Sequence, residues 1–142
     1  MHAGENDYSF RFDMACEFFV NGKEIPDEVL LNVLPYGASE FTLFYERSTS
    51  ELLEGDTDFF YYVSNTIFEK GITSGKIEFY NAALRLASYA DGEFGAYYIE
   101  ELEVLIESDP GKFCAMAKGQ SYAHNNPIKY FLKEYDCDNL FK

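Results

Sequence analysis

The stretch SYADGEFGAYYIEELEVLIESDPGKF, residues 88–113, decides how the chain is read. It carries Asp91-Gly92, a helix breaker, near one end and Asp109-Pro110, a helix starter, near the other. Between them Phe94, Tyr97, Tyr98, Leu102, Leu105 and Ile106 recur at three- and four-residue steps, and Glu100, Glu101, Glu103 and Glu107 fall on the opposite side. That period is helical, with one apolar stripe and one acidic face. Asp109 suits an N-cap and Pro110 the first helical position, where its missing N–H costs nothing, so a further helix is predicted over 110–118 with Phe113, Cys114 and Ala117 inward.

Upstream, Ile77, Tyr80, Ala83, Leu84, Ala87 and Ala90 follow the same spacing behind a capping Ser74. If Asp91-Gly92 ends that helix, a link of two or three residues turns the chain back on itself, and the two helices form an antiparallel hairpin. An EF-hand is disfavoured there: Ala87 and Tyr89 stand where acids or amides are needed, and Tyr98 stands in place of the closing Glu. Further back, DFFYYVSNTIFEKG predicts a helix from Thr57 or Asp58 closed by Lys70-Gly71, with Phe59, Phe60, Val63, Ile67 and Phe68 buried. Ser39 is the expected cap of a helix carrying Phe41, Phe44 and Tyr45; Pro26 opens a short one carrying Val29, Leu30, Val33 and Leu34; and a helix over 9–20 ends at Asn21-Gly22. Downstream of the polar GQSYAHNN link, Pro127 opens a last helix with Ile128, Phe131, Leu132 and Tyr135. The expected fold is all-α, with six to eight short helices whose antiparallel hairpins stack as a bundle or a short HEAT-like superhelix. One domain over 1–142 is expected, with a candidate sub-boundary in the polar loop 48–58.

The chain has 142 residues, enough to bury roughly 70% of its unfolded surface without a metal or a disulfide. It holds 14 Phe and 12 Tyr but no Trp, and it carries 25 Asp and Glu against 11 Lys and Arg, a formal charge of -14. Such a charge repels phosphate backbones and anionic headgroups, so neither nucleic acid nor a membrane surface is an expected ligand. Residues 1–111 hold six basic and 22 acidic residues, and residues 112–142 five basic and three acidic. A basic protein, or a toxin with a basic cleft, is the partner that field would steer; a solubility role is the plainer reading. His2-Ala3-Gly4 suits the tail of an export cleavage site, and an ordinary cytosolic start is the alternative. In an oxidising compartment Cys114 and Cys137 are the expected pair, flanking the turn between the last two helices; otherwise Cys16, Cys114 and Cys137 are buried thiols.

Short hairpins in series, an Asp-Pro helix start and small residues at helix contacts make the run from about residue 61 to 113 resemble HEAT-type and other α-solenoid repeats. The same run resembles small, often exported bacterial helical proteins of unassigned activity and some bacterial toxin-immunity proteins. The resemblance covers about a third of the chain and transfers no functional residues. No glycine-rich phosphate loop, G-x-S-x-G elbow or H-E-x-x-H motif is present, and no metal, cofactor or catalytic residue is expected.

The expected function is a non-catalytic protein–protein interaction module, of immunity-inhibitor type, for a basic protein. Its expected contacts are Glu51, Glu54, Asp56 and Asp58 on the loop and Glu100, Glu103 and Glu107 on the helix, with Tyr61, Tyr62 and Tyr97 as anchors. Two alternatives remain: a small thiol enzyme using Cys114 with His124, and a purely structural or oligomer-forming protein.

Overall fold

The computed structural model describes residues 3–48, 58–89 and 95–137. Within them the chain is all-α, with no strand. The helices are α1 (Ala3–Val20), α2 (Asp27–Val33), α3 (Ala38–Ser48), α4 (Asp58–Thr73), α5 (Ile77–Ala87), α6 (Gly95–Ser108), α7 (Pro110–Ala117) and α8 (Ile128–Glu134), and a 3-10 turn spans Ser121–His124. Most of the loop over 48–58 lies outside the described residues, as do Ala90, Asp91, Gly92 and Phe94. The chain divides into two compact units, Met1–Thr66 and Ile67–Lys142.

In the first unit α1 packs on α2 and α3. It starts earlier than its apolar period suggested and stops where expected. Gly22 sits at φ 68°, the Gly22 N–H donates to Phe19 O (3.1 Å) and the Lys23 N–H to Phe18 O (2.9 Å), which is the paired bond pattern of a left-handed helix stop. Helix α2 has only seven residues, too few to hold itself together in water. Its end is held from α1. The Tyr8 hydroxyl donates to Val33 O (2.8 Å), and Arg11 Nη1 donates to Asn32 O (2.8 Å) and Leu34 O (3.4 Å), so carbonyls that the helix cannot pair internally find partners.

The same guanidinium reaches Glu40 on α3 (2.7 Å) and Asp7 one turn back (3.1 Å), and lies over the Tyr8 and Tyr36 rings at 4.9 and 5.4 Å. Glu40 Oε1 also accepts from the Tyr36 N–H (3.0 Å), which fixes the turn between α2 and α3. Leu34 is extended (ψ 139°) ahead of Pro35, as the proline ring requires. Ser39 lies inside α3, not at its cap, because the helix already starts at Ala38. The core is aromatic. The Phe12 and Phe19 rings both meet Phe59 edge-on at 5.0 and 5.2 Å, and Phe41, Phe44 and Tyr45 surround Phe60.

In the second unit α5 is buried along Phe79, Tyr80, Ala82, Ala83, Leu84, Leu86 and Ala87, and packs on α6 and α7. Ala83 and Ala87 are buried as their spacing implied, Ala82 is buried as well, and small side chains there leave room for the neighbouring helices. Ile77, expected inward, is 57% exposed, because it is the first residue of the helix and precedes the buried turns. Gly71 does not end α4. The helix runs on to Thr73, and the left-handed residue is Gly75 (φ 72°). A Cβ at Gly71 would stand 3.2 Å from Leu105 Cδ1, so this glycine serves close packing against α6. Ser74, expected to cap α5, instead accepts from the Lys76 N–H (3.1 Å), a local turn, and α5 starts after Lys76 without a side-chain cap. Helix α5 ends at Ala87, four positions before Asp91, and most of the connection to α6 lies outside the described residues.

Asp109 caps α7 as expected, its Oδ1 accepting from the Lys112 N–H (3.1 Å) with Pro110 at the first position. Lys112 then reaches over the Tyr80 ring, Nζ 4.6 Å from its centre. The Tyr122 hydroxyl of the 3-10 turn donates to Asn81 Oδ1, tying that turn to α5. Phe113, Cys114 and Ala117 on α7 and Ile128 and Phe131 on α8 complete the core.

Because Arg11 joins α1, α2 and α3 through one side chain, Arg11→Ala should cost about 2–4 kcal/mol in urea unfolding, since Glu40 loses its cation in a part-buried site. Arg11→Lys should recover less than half of that, as an ammonium cannot fork to a carboxylate and two carbonyls. A loss below about 0.5 kcal/mol, typical of an exposed pair, would contradict the clamp.

Candidate functional site

The acidic helix predicted from residues 88–113 is α6, and its outer face is open to solvent. At about 100° per residue, Glu100, Glu103 and Glu107 fall within roughly 60° of one another around the axis. All three are exposed. Tyr98, Leu102, Leu105 and Ile106 face the core, so burial on one side fixes which carboxylates stand on the other. The acidic stripe has apolar margins. Ile99 and Val104 lie roughly 40° beyond its two edges, and they are 38% and 57% exposed.

Glu101 is turned aside and half-buried. Burial, and then the neighbouring Glu100 carboxylate, raise its carboxyl above the usual range. Tyr135, just after α8, lies in the field of the same stripe: burial and then Glu107, Glu103 and Glu134 push its phenol up. Its ring packs on Phe113 and Phe131 at 6.3 and 6.2 Å. Tyr135 was expected only as a core residue. The spacing of α8 alone gives no sign that it neighbours the glutamates of α6.

The other expected contacts are distributed differently. Glu51, Glu54 and Asp56 lie outside the described residues. Asp58 is exposed at the first turn of α4. Tyr61 and Tyr62 are half-buried in the first unit, where Tyr61 meets Phe60 at 5.2 Å and Tyr62 meets Phe19 at 5.3 Å. Tyr97 is half-buried against Tyr98 at 5.1 Å. Glu100, Glu103, Glu107 and Tyr97 therefore share α6, whereas Asp58, Tyr61 and Tyr62 belong to α4 in the other unit. Ile99 and Val104 were missed because they fall off the inward stripe, yet a β-branched pair on an acidic face is itself a readable signal.

Cys114 is joined to Cys137 by a disulfide that spans 23 positions, from α7 to three residues beyond α8. The pairing conditional on an oxidising compartment is the one observed, and the reading of all three cysteines as thiols is corrected: only Cys16 is free, and it is buried. His124 is exposed at the end of the 3-10 turn. With its sulfur in the disulfide, Cys114 offers no thiolate to pair with that imidazole. Burial, and then Asp13, raise the Cys16 thiol, which suppresses its nucleophilic form.

No helix among the described residues is long and apolar enough to cross a membrane. No family model, curated protein or solved structure matches the chain.

An aromatic disulfide reagent at neutral pH should find no fast-reacting thiol in the folded, oxidised protein and one thiol per chain after unfolding. A rapid native reaction abolished by Cys114→Ser would restore the thiol chemistry that the disulfide removes.

Proposed function

We propose that the protein is a non-catalytic interaction module that engages a basic protein through the outer face of α6. The observation that carries this reading is the pairing of Glu100, Glu103 and Glu107 with exposed Ile99 and Val104. A face that served solubility alone would gain nothing from two β-branched side chains in water. A partner bringing lysine or arginine uses both features, since aliphatic stems cover Ile99 and Val104 while cationic heads meet the carboxylates. Tyr97 and Tyr135 supply aromatic surface beside the stripe. The charge of -14 acts at longer range, attracting a cationic partner and raising its rate of encounter.

An inhibitor of immunity type, covering the basic cleft of a toxin, is the form of this function that the resemblance of residues 61–113 favours. In that form the later helices stack as antiparallel hairpins in a short HEAT-like array, which leaves one helix face per pair for binding.

Capture from the native lysate at low and at moderate salt, with the wild-type chain and with E100K/E103K/E107K, tests the reading. A basic protein should be recovered in near-equal amount with the wild type, lost as salt rises, and lost from the variant at either salt. Recovery of the same protein by wild type and variant alike would remove α6 from the interface. No partner at either salt, with a defined oligomer in solution, would favour the structural alternative.

A further inference from the structure

Helix α1 of the first unit is apolar on two sides. Tyr8, Phe12, Ala15 and Cys16 are buried. At about 100° per residue, Phe10, Met14 and Phe18 lie within roughly 80° of one another on the opposite side. Phe10 is 66% and Met14 40% exposed, and Phe18 is half-buried. A surface helix normally keeps that side polar, so an apolar row there marks a face without a neighbour and has no use for solubility. Spaced at every fourth residue, the three side chains form one ridge, of the kind that beds into the groove of a second helix. At its end the ridge borders a cavity of about 170 Å³ lined by Met14, Glu17, Phe18, Asn21 and Lys23. The helix stop builds that hollow: the Lys23 N–H donates to Phe18 O (2.9 Å) and folds the chain back, while Asn21 Nδ2 donates to Glu17 O (2.8 Å).

We infer that this ridge is a docking surface for a basic amphipathic helix of a partner protein, and that the cavity takes one of that helix's apolar side chains. Charge selects the occupant. Asp13 and Glu17 are exposed along one border of the ridge, about 60° and 20° round the axis from Phe10. Lysine or arginine flanking the partner's apolar stripe meets these carboxylates while its stem lies on Phe10 and Met14. The same carboxylates oppose a second copy, whose α1 brings matching acids and whose chain carries the same charge of -14. They oppose an anionic bilayer for the same reason. Size opposes a small molecule: about 170 Å³ falls below the roughly 300–1,000 Å³ of small-ligand pockets and leaves room for one side chain. Met14, unbranched and polarizable, adapts its shape to that side chain. Lys23 stands where the docked helix can present its C-terminal carbonyls, which carry partial negative charge. No residue of α6 enters this surface, so it stands or falls separately from the proposed function.

The experiment is a titration of the disulfide-intact, full-length chain, followed by amide NMR, with a synthetic peptide of leucine and lysine whose leucines recur at helical spacing. Parallel arms use a peptide of the same composition in shuffled order and one with glutamate in place of lysine. Saturable shifts over residues 10–23 should appear with the patterned peptide at a micromolar Kd, with at least about tenfold weaker binding there for the shuffled peptide and none for the glutamate one. F10S/M14S should abolish the shifts over 10–23. E17K alone should weaken binding there by a smaller factor with little change in melting temperature, which keeps the test decisive if the double variant folds poorly. E100K/E103K/E107K should leave the Kd read over 10–23 unchanged. No saturable shift over 10–23, or shifts there that persist at the same Kd in both α1 variants, would overturn the docking surface. Equal binding by the shuffled or the glutamate peptide would overturn the assignment to a basic amphipathic helix. A dimer of the peptide-free chain that F10S/M14S dissociates would show that a second copy covers the ridge instead.

Discussion

Self-repulsion is the constraint this chain must satisfy before anything else. With 25 acidic side chains against 11 basic ones, the compact state concentrates negative charge, and the scarce cations have to be placed where each offsets the most. Arg11 shows the solution in the first unit. One guanidinium meets two carboxylates, two carbonyls at the end of α2 and two tyrosine rings, so a helix of seven residues is held by its neighbours and not by its own propensity. Lys112 over the Tyr80 ring does a smaller version of the same work in the second unit.

The apolar side of the balance is aromatic and alanine-based. Phe59 and Phe60 each gather several rings in the first unit, and in the second the alanines of α5 and Gly71 of α4 let helices approach closely. This packing also decides what faces solvent. Once Tyr98, Leu102, Leu105 and Ile106 are committed to the core, the orientation of α6 is fixed, and Glu100, Glu103 and Glu107 stand together in solvent with no further design. The disulfide ties α7 to the chain just beyond α8.

How much of this could be read from residues alone depended on whether the signal was local. Helix period, the Asp109-Pro110 start and the Gly22 stop are set by neighbours a few positions away, and each is where the sequence placed it. Gly71 misled because a glycine near a lysine looks like a terminus; its real determinant is Leu105, a partner 34 positions along the chain. Ser74 misled for a similar reason, since its hydroxyl had a nearer N–H to accept from. The acidic stripe was legible because it lies on one helix. The field of that stripe at Tyr135 was not, because it depends on residues distant in sequence.

The account stands or falls on α6 being a contact surface and not only a solvated one. Hydrogen exchange of the chain, alone and in the presence of the basic protein that the proposed function expects lysate capture to recover, measures this directly. Slower exchange confined to residues 95–108 and the neighbouring end of α8 is the predicted footprint. Slower exchange elsewhere, with the α6 amides unchanged, would contradict it.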